Sequence, residues 1–150
     1  MGPYLASLFY RAGLHVITLP SPMNWNFALS ASRSGAPGYA PEDARDLYRV
    51  MQKTLSILRE RYDLKPTEIR FLGVSLGALE GAYLSLIDAD EAKIGIANYL
   101  LINPPVDLYD ALKKIEEWSK LAKVFGAAAS EELRFESRCD CRFAFRREPG

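Results

Sequence analysis

Strand and helix signals alternate along the first 125 residues of this 150-residue chain, which predicts an α/β protein with a parallel sheet and helices on both faces. Three observations carry that expectation. The strand candidates are continuous apolar runs rather than alternating ones, as expected where a sheet is covered on both sides. The segments between them place apolar residues at spacings of three and four, the period of an amphipathic helix. The composition is 49% hydrophobic and 25% charged, enough apolar material for one modest core.

Pro3 to Ala12 puts Leu5, Leu8 and Phe9 on one helical face, and Gly13 stands where a helix ends. Leu14-His15-Val16-Ile17-Thr18-Leu19 is β-branched and mostly apolar, bounded by Gly13 and Pro20, and reads as a buried strand. Ser21 to Ala40 is rich in Pro, Gly, Asn and Ser and reads as a long loop, a length usually kept for function or motion. Pro41 opens a helix to Asp63: Glu42 and Asp43 suit its first turn, and Leu47, Met51, Leu55, Leu58 and Tyr62 form its apolar stripe. Ile69 to Val74 is a second strand, followed by a small-residue helix to about Asp88. Asn98 to Asn103 is a third strand, stopped by Pro104-Pro105, and Asp107 to Phe125 is a further amphipathic helix. Three parallel strands leave both edges bare, so self-association through those edges is expected.

One motif is sharp. Gly73-Val74-Ser75-Leu76-Gly77 joins the second strand to its helix. A serine hydroxyl is a poor nucleophile unless it is held exposed beside a base and beside donors for an oxyanion. So tight a turn strains the backbone at Ser75, and glycines two before and two after are expected where side chains would collide. The turn also sets the backbone N–H of Leu76 at a helix N-terminus, where negative charge is favoured. On these residues and on the order of elements, the chain from about residue 3 to 125 resembles the central portion of the α/β-hydrolase superfamily. The resemblance implies a partial α/β-hydrolase fold, Ser75 as nucleophile and the Leu76 amide as one oxyanion donor. The reaction it implies is cleavage of an ester or thioester through an acyl-enzyme.

The family also needs an acid and a histidine later in the chain than the serine, and no histidine follows Ser75. His15 lies near the start of its expected strand, roughly 13 Å from the edge where catalytic groups gather, and reads as a core or bottom-face residue. Asp107 follows the strand after the motif and is the candidate acid; the competing and favoured reading is a cap for the helix that begins there. Glu80 falls on another helical face and reads as a partner for a basic side chain. Asp88 and Asp90 read as solvated residues at a helix end. The family's second oxyanion donor comes from a loop preceding Pro3. The expectation is therefore an incomplete hydrolase core over residues 1–125, weakly active or inactive as it stands. Flanking sequence is expected to encode the missing strand and loop upstream and the acid and histidine downstream.

Ser130 to Gly150 breaks the strand–helix rhythm, and residues 126–150 are expected to be a poorly ordered tail. Cys139 and Cys141 provide two thiols without the further ligands of a zinc site, so neither metal nor cofactor is expected. Arg142, Arg146 and Arg147 around Phe143 and Phe145 form a small basic cluster. With 19 basic and 19 acidic residues in balance, however, no nucleic-acid partner is expected. The expected partner is a small acyl substrate. No membrane span or signal peptide is legible, which makes the cytoplasm the default location unless a leader precedes Met1. The competing function is a non-catalytic binding fragment that holds an apolar ligand or a partner beside Ser75 with Trp25 and Phe27 of the long loop.

Overall fold

A computed structural model describes residues 2–125, with side chains through Leu121. Five helices and two strands succeed one another: α1 Gly2–Arg11, α2 Trp25–Ser30, α3 Ala40–Tyr62, β1 Ile69–Val74, α4 Leu76–Glu91, β2 Ile96–Ile102 and α5 Leu108–Phe125. They divide into two compact units. One is Ser21–Ala111; the other joins the residues up to Pro20 with the described residues from Leu112 onward.

Ser21–Ala111 is built around a β–α–β unit. Strands β1 and β2 pair in parallel, from Ile69 opposite Ile96 to Val74 opposite Ile102, with one irregularity between Ile69 and Arg70. Helix α4 crosses between them and packs on both strands and on α3. Its seat on the sheet depends on Gly81: a Cβ there would lie 2.6 Å from Leu101 Cδ2. Phe71 and Leu101 therefore face α4. Their alternating neighbours face away, and Leu100 and Ile102 are 55% and 40% exposed. The mixed α/β class holds; within Ser21–Ala111, α4 is the described helix that packs on the sheet, and the expected helices on both faces are not seen in that unit.

Helix α3 starts as its sequence dictates, with Pro41 in the first turn beside Glu42 and Asp43. It ends at Asp63 in the left-handed conformation (φ 47°), whose N–H donates to Leu58 O. Its buried face carries Ala44, Leu47, Tyr48 and Leu55 and packs on α4, which buries Ala78 and Leu84; Phe27 and Ala28 of α2, and Ile94 and Ile96, are buried as well. Tyr62, expected on that stripe, is exposed.

Asp88 pins the return from α4 to β2. Its carboxylate accepts hydrogen bonds from Tyr48 Oη at 2.5 Å and from the amides of Ile94, Gly95 and Ile96, the last at 2.6 Å. Burial alone would push this carboxyl up, but the four donors outweigh it and hold it below the usual carboxylate range. Asp88 is thus a buried hub and not a solvated helix-end residue; Asp90 is exposed as expected.

Residues 14–19 form no strand, and Leu14, Val16 and Ile17 are exposed. Apolar β-branched residues favour extended backbone, but a strand exists only where a neighbouring chain takes up its N–H and C=O groups. The described sheet accordingly has two strands rather than the expected three. The expected 21–40 loop contains helix α2, capped by Asn24, whose Oδ1 accepts from Asn26 N at 2.9 Å. The expected tail, residues 126–150, with its cysteines and arginines, lies outside the described residues. No helix among the described residues is long and apolar enough to cross a membrane.

Candidate functional site

Ser75 is the single residue between the last strand position and the first helical one. Its N–H donates to Ile102 O at 2.9 Å, prolonging the β1–β2 ladder, while its own carbonyl accepts from Ala78 N at 2.9 Å and Leu79 N at 3.2 Å. Strand bonding on one side and helix bonding on the other must be reconciled within one residue. The backbone there is φ 54°, ψ −120°, outside the left-handed helical well and sparsely populated for any residue with a Cβ. The expected strain is present.

The two flanking glycines differ. A Cβ on Gly73 would collide with the Gly77 carbonyl and lie 2.8 Å from Ala78 N, so the strand and the first helical turn touch backbone to backbone. A Cβ on Gly77 meets nothing outside its own helix within 4 Å. The expectation that both positions exclude a side chain is corrected for Gly77: the close approach runs from Gly73 onto Gly77, not the reverse.

The Ser75 side chain is exposed, and its hydroxyl has no hydrogen-bond partner among the described residues. The Leu76 N–H is the first amide of α4 and has no carbonyl four residues back within the helix to receive it. An exposed hydroxyl and an unspent amide donor at the positive end of a 16-residue helix therefore stand on adjacent residues.

Asp107 accepts hydrogen bonds at Oδ1 from Tyr109 N at 2.9 Å and Asp110 N at 3.1 Å, the geometry of an N-cap for α5. Its carboxylate is engaged by its own helix, as the favoured sequence reading had it. Glu80 departs from expectation. It is 2% exposed, and no basic side chain pairs with it among the described residues. Its charged neighbour is the buried Asp43, and burial together with that like charge pushes the Glu80 carboxyl up to about 8. Asp43 is itself raised by burial, although Gly38 N donates to its Oδ2 at 2.8 Å. A sequence signal for this burial existed: Leu84 lies four after Glu80, on the same helical face.

His15 is exposed and belongs to the other unit, which excludes a core role. Trp25 is 80% exposed, whereas Phe27 is a core residue at 3% and is not free to line a ligand groove. Among the described residues no cluster of histidine, cysteine and carboxylate side chains is arranged to hold a metal ion. Comparisons with protein-family models, with curated proteins and with solved structures return no match to this chain.

Proposed function

We propose that the chain is a serine-nucleophile hydrolase of the α/β-hydrolase type, acting on an ester or thioester through an acyl-enzyme. The observation that carries this reading is the backbone of Ser75, held at φ 54°, ψ −120° between a parallel strand and a helix with its side chain exposed. A turn of that kind lifts the hydroxyl clear of the sheet and aims it where a carbonyl carbon can approach.

In the reaction Ser75 Oγ attacks the carbonyl carbon and the carbonyl π electrons move onto oxygen. The Leu76 N–H lies beside the developing oxyanion and stabilises it more than the neutral carbonyl. Collapse expels the alcohol or thiol, and water releases the acyl group from Ser75. The Ser75 proton must pass to a base. The unit Ser21–Ala111 contains no imidazole, so turnover is expected to lie orders of magnitude below that of a serine–histidine pair. Loss of Phe27 to the core leaves the competing apolar-groove reading with Trp25 alone.

A fluorophosphonate probe tests the proposal directly. Labelling of the folded chain that disappears in Ser75→Ala is the expected result. A folded chain that takes up no label, or one labelled equally in Ser75→Ala, would overturn it.

A further inference from the structure

Away from Ser75, a half-open cavity of about 280 Å³ lies between α3 and the carboxyl end of α4. Four cationic side chains line it, Arg33, Arg45, Arg49 and Lys93, together with Gln52 and Glu91. Their existing partners divide them into two pairs. Arg49 is paired with Asp46, and Lys93 Nζ lies 2.7 Å from Glu91 Oε2. Arg33 and Arg45 have no acidic partner among the described residues, and both are exposed while lining the cavity.

Asp46 could have neutralised a third cation, but its second oxygen is already spent. Asp46 Oδ2 accepts from Arg33 N at 2.8 Å, which fixes the Arg33 backbone against α3 while its guanidinium remains unmatched. Two uncompensated guanidiniums beside one cavity match the charge of a phosphate monoester, which is between one and two negative charges near neutral pH. A second, independent observation points the same way. Gln52 Nε2 is buried with no hydrogen-bond partner, and Gln52 lines this cavity. A buried donor without an acceptor is rare in a folded chain and calls for an oxygen that the protein does not itself supply. The volume suits a compact ligand rather than a nucleotide or a peptide.

From this arrangement we infer that the cavity between α3 and the end of α4 binds a compact phosphorylated small molecule. Arg33 and Arg45 neutralise its phosphate, and Gln52 donates to one of its oxygens. Along α4, the cavity residues Ile87 and Glu91 lie roughly 18–24 Å from Ser75 at about 1.5 Å per residue. The site is therefore distinct from the serine, and the inference does not rest on hydrolase activity.

Titration calorimetry of the full chain at low ionic strength tests it, with glycerol 3-phosphate, inorganic phosphate and pyrophosphate as probes. The expected result is saturable binding of glycerol 3-phosphate with a Kd of about 1 mM or tighter. The double variant Arg33→Gln/Arg45→Gln is expected to weaken it at least about tenfold. Gln52→Leu should weaken it severalfold without lowering Tm. Arg59→Gln/Arg61→Gln removes two equally basic residues in the last turn of α3, outside the cavity, and should leave binding unchanged, as should Ser75→Ala. Absence of saturable binding, or equal losses in the two arginine double variants, would overturn the site. Inorganic phosphate or pyrophosphate binding as tightly as glycerol 3-phosphate would overturn the assignment to an organic monoester, and an unchanged Kd in Gln52→Leu would remove Gln52 from it.

Discussion

Ser75 stores backbone strain, and two substitutions separate that strain from its chemistry. Ser75→Gly removes the Cβ that makes φ 54°, ψ −120° costly, a relief of about 1–3 kcal/mol. Glycine's extra freedom in the unfolded chain takes back about 0.4–1 kcal/mol. The net expectation is a gain of about 1 kcal/mol, seen as a rise of a few degrees in Tm, about 2–8 °C. Ser75→Ala keeps the Cβ and should leave Tm nearly unchanged, so a higher Tm for glycine than for alanine is the reading to look for. Gly73 and Gly77 provide a second contrast. Gly73→Ala forces a Cβ into the backbone of Gly77 and Ala78 and should cost about 3 kcal/mol or more, read as a lower urea midpoint. Gly77→Ala adds a helix-favouring residue in open space and should be neutral or stabilising by up to about 1 kcal/mol. The two glycines look equivalent in the motif. Only the tertiary structure shows that the contact is one-sided, because it depends on the angle at which the helix leaves the strand.

The longer helices were legible because their signals are local, whereas the short α2 fell inside a segment read as a loop. Pro41 with Glu42 and Asp43, the apolar spacing of α3 and the cap at Asp107 each act within a turn or two of chain. Asp107→Ala removes the acceptor for Tyr109 N and Asp110 N and should cost about 1 kcal/mol, while Asp107→Asn, which can still accept, should cost less than half of that in a thermal melt. If Asp107 instead served Ser75, the asparagine variant would lose fluorophosphonate labelling while keeping its Tm. Strands were legible only where a partner exists. Ile69–Val74 was read with its boundaries intact, but β2 starts at Ile96 rather than Asn98 and stops before Asn103. Asp88 captures the Ile96 amide and brings the chain into register early, and Asn103 leaves the strand at φ 50°. Residues 14–19 have as strong a β composition as either strand, yet no partner among the described residues.

Charge buried in the core couples the fold to pH. The folded chain keeps a proton on Glu80 up to about pH 8, whereas an unfolded glutamate releases it near 4.5. Stability is therefore lost as pH rises between those values and levels off above them, at up to about 1.4 kcal/mol per pH unit. Asp43, raised by burial, contributes with the same sign. Asp88, held low by its four donors, works oppositely: its contribution is complete above 3.8, the ordinary aspartate value, and fades as pH falls through its lowered value. The urea midpoint is expected to be higher at about pH 5 than at about pH 8.5, and Glu80→Gln should flatten that difference and raise the midpoint at the higher pH. An unchanged profile in Glu80→Gln would assign the pH response to other groups. The four longer helices, the Ile69–Val74 strand and the strand–Ser75–helix turn could be read along the chain, because each depends on neighbours in sequence. Which glutamate is buried, which aspartate ties Tyr48 to β2, which face of the sheet takes α4 and which arginines share a cavity could not be read so. Each depends on residues such as 43 and 80, or 33 and 93, that lie far apart in sequence and meet only when α3 packs on α4.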